Sequence, residues 1–248
     1  MKQLLKKLSP PAVSVGLGLL AAVLRALYYI KGTDEKNLLV SGHPLGILVW
    51  VVIAAAMVLI PFSLAARNGS NRWKHNFRPS LPAALGCAAL ASGILITVLP
   101  FLRRGAQLPD LICAVLGLLS VAGMFWVGLC RHRGERPFFG CHSVLCLFFA
   151  VYLVGQYRYL SSNPQLQDYV FYMMGCVCMG LAAYQHAAFD VGSGHRRKLM
   201  LFSLLGVCLG LAGLYKSMSL PLSLGGTLWL LTNLCRLQPK SRYLREEK

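Results

Sequence analysis

Eight apolar runs separated by short gaps make up most of this 248-residue chain, and every second gap is crowded with Lys and Arg. The crowded stretches are 1–11, 67–79, 131–137, 195–198 and 236–248. That side of the chain holds eighteen basic residues against four acidic ones, Glu135, Asp190, Glu246 and Glu247. The alternate gaps, 31–43, 103–110, 158–168 and 216–219, hold six basic residues against Asp34, Glu35, Asp110 and Asp168. Lys and Arg near helix ends stay on the cytoplasmic side during membrane insertion. The alternation therefore predicts a chain threaded repeatedly through a bilayer, N-in and C-in.

A spanning helix needs ~20 largely apolar residues. The windows that approach this are 11–30, 44–66, 81–102, 109–129, 138–160, 169–189, 199–215 and 220–235. In lipid every backbone polar group must find its partner within the protein, which helices provide. The expected fold is an all-α polytopic bundle of about eight transmembrane helices, with residues 1–248 as one transmembrane domain and no gap long enough for a soluble one. The last two windows cover only ~25 Å at ~1.5 Å per residue, against a ~30 Å hydrocarbon core. They either cross a thinned region or turn back as a re-entrant hairpin, and Lys216 at the turn favours crossing. Charged residues make up 13% of the chain, half the roughly 25% of soluble domains.

Lys2, Lys6 and Lys7 ahead of the first apolar run resemble a secretory signal, but the run continues to Tyr28-Tyr29-Ile30 without a small-x-small cleavage site. It reads as a retained signal-anchor helix. Residues 1–8, with Leu4, Leu5 and Leu8 among lysines, suit a surface-lying segment. Compactness and missing targeting signals point to a bacterial cytoplasmic membrane. Arg67, Arg131 and Arg196 recur at nearly equal intervals, which fits duplicated hairpins, but any array of short-looped hairpins has such a period.

The formal charge of +17 is explained by topology and by attraction to anionic headgroups at the cytoplasmic face, rather than by nucleic acid. Nine cysteines, an odd number and nearly all in apolar runs, suit small packing residues rather than a disulfide framework. There is no P-loop, no H-E-x-x-H and no G-x-S-x-G, and no cofactor is implied.

Five residues are candidates for a binding site: Arg25, Gln185, His186, Asp190 and Asn233. Arg25 lies about five positions from the outer end of the first run. Intramembrane charges often mark function, yet an off-centre arginine beside Tyr28 and Tyr29 is expected to snorkel to the headgroups. The alternative is an anion site or an inter-helix partner. His186 and Asp190, at i and i+4, share a helix face, so the carboxylate is placed to orient the imidazole. That pair, with Gln185, suits a proton relay, a metal ligand or a general base; the plainer reading is an interfacial hydrogen bond before the Gly192-Ser193-Gly194 turn. Cys130, His132, Cys141 and His142 fall together but lack the usual zinc spacing, and Arg131, Arg133 and Arg136 would repel a cation. Cys176 and Cys178 point to different faces.

Gly206-x-x-x-Gly210 predicts a close helix approach within the chain. Pro221, Gly225-Gly226, Thr227 and Asn233 predict a poorly continuous eighth helix, whose freed polar groups are available to a ligand. No Asp or Glu sits in the middle of any run, where ion-coupled transporters commonly carry one.

Three functional readings follow. One is a permease-like bundle binding a small molecule or lipid between helices. The second is a non-catalytic scaffold or regulatory subunit with a protein partner. The third is an intramembrane enzyme acting on lipid headgroups through His186, Asp190 and Arg196 or Arg197. A polar cavity between helices favours the first, a solid interior the second, and a His186–Asp190 pocket open to headgroups the third.

Overall fold

The structure, a computed structural model, describes residues 9–32, 43–64, 72–102, 107–161, 169–215, 217–235 and 237. The surface segment 1–8, the turn lysine Lys216, Arg67 and the basic tail beyond 237 lie outside the described residues. Eight long helices account for nearly all the rest: α1 Pro10–Lys31, α2 Pro44–Leu64, α3 Leu81–Val98, α4 Leu108–Arg133, α5 Phe139–Leu160, α6 Val170–Val191, α7 Arg196–Ala212 and α8 Leu220–Cys235. A single helical turn, Trp73–Asn76, precedes α3, and the 3-10 turn Leu99–Leu102 extends it. The expected all-α bundle is what forms.

The helix ends follow from local chemistry. α1 and α4 open with proline in the first turn, where the missing N–H has no intrahelical role. Ser80 caps α3 by accepting from the Ala83 amide at 3.4 Å. α4 and α6 close at Gly134 and Gly192, whose φ values of 78° and 93° are left-handed and favour glycine. Two windows shift by about a turn. α4 runs on to Arg133, because Arg131, His132 and Arg133 complement the dipole at its C-terminus, and α7 spans Arg196–Ala212 instead of 199–215.

Six helices close a ring in the order α3, α4, α5, α6, α7 and α8, with α8 returning to α3. α1 and α2 pair with each other and lean on α7 from outside. Burial follows this plan: fourteen of the 22 residues of α6 are buried, but only six of the 22 of α1. Five helices, α1 to α5, are long and apolar enough to cross a membrane, and α8 is apolar but shorter. α6 to α8 show less side chain to the surroundings, so they need less apolar surface of their own.

Outward-facing residues on α1 to α5 include Val23, Trp50, Val58, Leu119 and Val154, all large, apolar and exposed. In water so extensive an apolar surface would drive aggregation. In lipid it is the expected exterior, so the protein is a multi-pass membrane protein. All nine cysteines are free thiols, six of them buried.

Close approach of helices holds the ring shut. A Cβ on Gly225 of α8 would stand 2.5 Å from the Ala89 carbonyl oxygen of α3, and one on Gly93 would overlap the Pro221 carbonyl. Gly210 of α7 lies against Gly175 of α6, where a Cβ on Gly175 would be 3.3 Å from the Gly210 nitrogen. The small-residue spacing thus serves packing within the chain. The expected break in α8 does not occur. Pro221 sits in its first turn, Gly225 and Gly226 admit neighbouring helices, and Thr227 and Asn233 bond back to Ser223 and Trp229 carbonyls at 2.7 and 2.8 Å.

Gly93→Val and Gly225→Val should each destabilise the protein by roughly 1–3 kcal/mol through overpacking. Gly16→Ala on α1, where a Cβ meets nothing within 4 Å, should leave stability unchanged or slightly raised. Unfolding in detergent micelles measures all three.

Candidate functional site

Four of the five residues singled out from the sequence meet at the basic end of the ring. The segment before α3 folds across this end and is tied down by the Ser80 amide donating to the Arg131 carbonyl at 3.0 Å. Beneath it, Arg131 is only 4% exposed. Its Nη2 donates to Asn233 Oδ1 at 2.6 Å, and its guanidinium lies 4.2 Å from the centre of the Phe77 ring. The charge is thus held by an amide oxygen and a π face, both suited to a buried arginine.

Beside this contact, His142 Nδ1 of α5 lies 2.5 Å from Asp190 Oδ2 of α6. The carboxylate only accepts, so Nδ1 carries the proton, as assigned from the hydrogen-bond network. The His142 ring stacks on His186 at 5.1 Å and 16°. His186 is enclosed by Phe77 and Trp229, with ring centres at 5.5 and 5.4 Å. Two polar atoms in this knot, Gln185 Oε1 and His186 Nε2, are buried without a hydrogen-bond partner. At the rim, Arg196 donates to Asn76 at 2.9 Å.

The expected His186–Asp190 pair is therefore corrected. The two residues do share a face of α6, but the carboxylate reaches across to His142 and leaves His186 to stack. Asn233 is not a group freed by a broken helix; it receives Arg131 from α4. Sequence reasoning missed Arg131 and His142 as partners, because one was read as a topological charge and the other within a metal set. A usable signal was present on α4: its buried positions Gly117, Ser120, Met124, Val127 and Arg131 recur every three or four residues. Arg131 simply continues the inward stripe. Among the described residues no group of three or more His, Cys, Asp or Glu is placed to hold a metal ion.

Arg25 belongs elsewhere, and it does not snorkel. It is 3% exposed and donates through Nη1 to the Ala212 carbonyl at 2.9 Å. Its guanidinium also lies 5.2 Å from the Phe171 ring and 5.8 Å from Tyr29. Ala212 ends α7, where the last carbonyls lack intrahelical partners and carry the negative end of the dipole. Ser14, Gly18, Ala21, Arg25 and Tyr29 form the buried stripe of α1, so Arg25 points at α7 instead of outward. It joins α1 to the ring, far from the knot.

A cavity of about 530 Å³ opens at the end opposite the knot, among α3, α4, α5 and α8. Thr97, Asp110, Tyr152, Gln156 and Ser219 contribute polar lining; Ile96, Phe101, Cys113 and Met218 contribute apolar lining. Thr97 and Ser219 hydroxyls join across it at 2.5 Å, and at its base Tyr152 bonds Tyr172 at 2.7 Å. Tyr152 lies about 12 Å along α5 from its end, most of the way to the midplane of a ~30 Å core. Beyond it Phe148, Phe149, Leu145, Met124 and Met179 are buried and fill the ring.

No protein-family model matches this chain, and neither curated proteins nor solved structures show a significant similarity to it.

The knot predicts strong coupling. In a cycle of His142→Ala, Asp190→Ala and the double variant, unfolding in detergent should give an interaction energy of about 1–3 kcal/mol. Arg131→Leu should also destabilise the protein, while Arg133→Ala, two residues further on and exposed, should change stability far less.

Proposed function

We propose that this multi-pass protein is a permease-like bundle that binds a small ligand between its helices. The cavity among α3, α4, α5 and α8 carries this reading: its volume of about 530 Å³ falls within the ~300–1,000 Å³ of small-molecule sites. Its lining pairs hydroxyl and amide groups with apolar walls, the usual means of orienting and desolvating a small amphiphile. Among the described residues Asp110 is the one carboxylate on that lining.

The opposite end supports the same reading. There the ring is shut by the Arg131–Asn233 and His142–Asp190 contacts, above a layer of packed apolar side chains. Polar contacts can be exchanged for water with less loss than apolar ones, so they suit a seal that opens and recloses. A ligand would then enter from one side, with the knot as the closed side. The accompanying placement in a plasma membrane, basic end inward, rests on the charge alternation. The headgroup-enzyme reading loses its support, because His186 and Asp190 are both buried, His186 against the Phe77 ring, and not in an open pocket. A scaffold keeps the sparsely buried faces of α1 and α2 as a partner surface, but lipid covers such faces equally well.

A Cβ on Gly155, on the cavity wall, meets nothing within 4 Å, so a larger side chain there has room to start toward the cavity. Purified protein screened by thermal unfolding against small amphiphilic amines and alcohols should yield compounds that raise the melting temperature. Gly155→Trp should abolish those shifts while keeping the ligand-free melting temperature. Shifts that persist unchanged in Gly155→Trp contradict the assignment.

A further inference from the structure

The basic end carries a second concave surface, separate from both the knot and the cavity. It is a groove of about 500 Å³ lined by Arg72, Trp73, Lys74, Gly134, Glu135, Arg136, Phe189 and Gly192. Its cations come from two unrelated segments: Arg72 and Lys74 from the helical turn before α3, Arg136 from the link between α4 and α5. Its floor is aromatic, since Trp73 and Phe189 are both buried.

The bland account is that basic residues near helix ends complement dipoles and fix topology. That covers residues in the last turn of α4. It does not explain why Lys74 and Arg72, outside any long helix, converge with Arg136 over an aromatic floor. Glu135 on the same rim opposes an anion, as do the C-termini of α4 and α6. Among the described lining residues, three cations stand against this one carboxylate. A small hydrated anion gains nothing from the floor. A molecule that joins a phosphate to an apolar body gains from both parts. The neighbouring Phe138 and Val191 are exposed and apolar, so the groove borders the lipid-facing surface.

We infer that this groove seats the phosphate of an anionic phospholipid, with Lys74 and Arg136 on the phosphate and Trp73 and Phe189 beneath the glycerol and first acyl carbons. The site is independent of the cavity and of the permease-like reading. Lys and Arg beside a membrane surface contribute roughly fivefold each to binding an anionic lipid, and phosphate held by two such groups is further fixed by charge-assisted hydrogen bonds.

Native mass spectrometry of the full chain in detergent, with phosphatidylglycerol or phosphatidylcholine added, tests this. The wild type should retain one phosphatidylglycerol in preference to phosphatidylcholine. Lys74→Ala with Arg136→Ala should weaken that binding about 25-fold, roughly fivefold per side chain. Lys198→Ala, an exposed lysine of α7 outside the groove, should change it less than twofold. Millimolar inorganic phosphate should not displace the lipid. If the double variant fails to fold, Arg136→Lys and Arg136→Gln decide instead: the first should hold the lipid within about twofold of wild type and the second should weaken it about fivefold. Equal retention of phosphatidylcholine, an equal loss in Lys198→Ala, displacement by phosphate, or lipid retained by Arg136→Gln as by wild type would each overturn the inference.

Discussion

Hydrocarbon offers no hydrogen-bond partner, and that constraint governs every polar group buried in this protein. The backbone meets it by being helical almost throughout. Short polar side chains meet it locally: Thr97, Ser120 and Thr227 each bond the carbonyl four residues back. Others use the same need to join helices. Ser14 reaches the Leu204 carbonyl at 2.6 Å, Ser223 reaches that of Gly210 at 3.1 Å, and Arg25 reaches that of Ala212. In lipid, apolar contact alone gives helices little reason to prefer each other over acyl chains. These bonds, together with glycine-mediated close approach, supply the preference. Gln185 Oε1 and His186 Nε2 are exceptions to it, and both lie in the knot.

The same constraint separates the two ends of the ring. At the basic end, Arg131 pairs with Asn233 and His142 with Asp190, and the interior is closed. At the opposite end polar side chains line a space instead, where Thr97 is joined to Ser219 and Tyr152 to Tyr172. Between the two ends lies a layer that includes Phe148, Phe149 and Met179, all buried. A bundle with one open end and one latched end has the asymmetry that one-sided ligand capture requires. A uniformly packed scaffold would have no use for the cavity.

Much of the fold was legible because it depends on local, additive properties. Length and apolarity located the helices, so the 11–30 window became Pro10–Lys31 and 220–235 became Leu220–Cys235. Where helix ends shifted, the cause was again local: α4 gains a basic last turn and a left-handed glycine. The site was only partly legible, because its bonds join distant positions. Arg131 and Asn233 are 102 residues apart, and His142 and Asp190 are 48 apart. A single sequence shows His186 and Asp190 sharing a face but not that α5 brings a better-placed imidazole. Arg25 misled for a related reason. Its depth suggested the headgroups, while the unpaired carbonyls that capture it belong to a helix nearly two hundred residues later. The cavity had no sequence signal, since it is a gap among helices and not a property of any one of them.

One-sided capture requires a ring that is open to water from one end, as far as Tyr152, and dry beyond it. Spin-labelled amino acids placed in turn along α5, in protein reconstituted into bilayers, measure this through collision with water-soluble nickel chelate and with lipid-soluble oxygen. The account predicts nickel access at Gly155 and Gln156, oxygen access at the exposed Leu147 and Val154, and little of either at Phe148 and Phe149. Nickel reaching Phe148 and Phe149, or oxygen in place of nickel at Gly155 and Gln156, would contradict it.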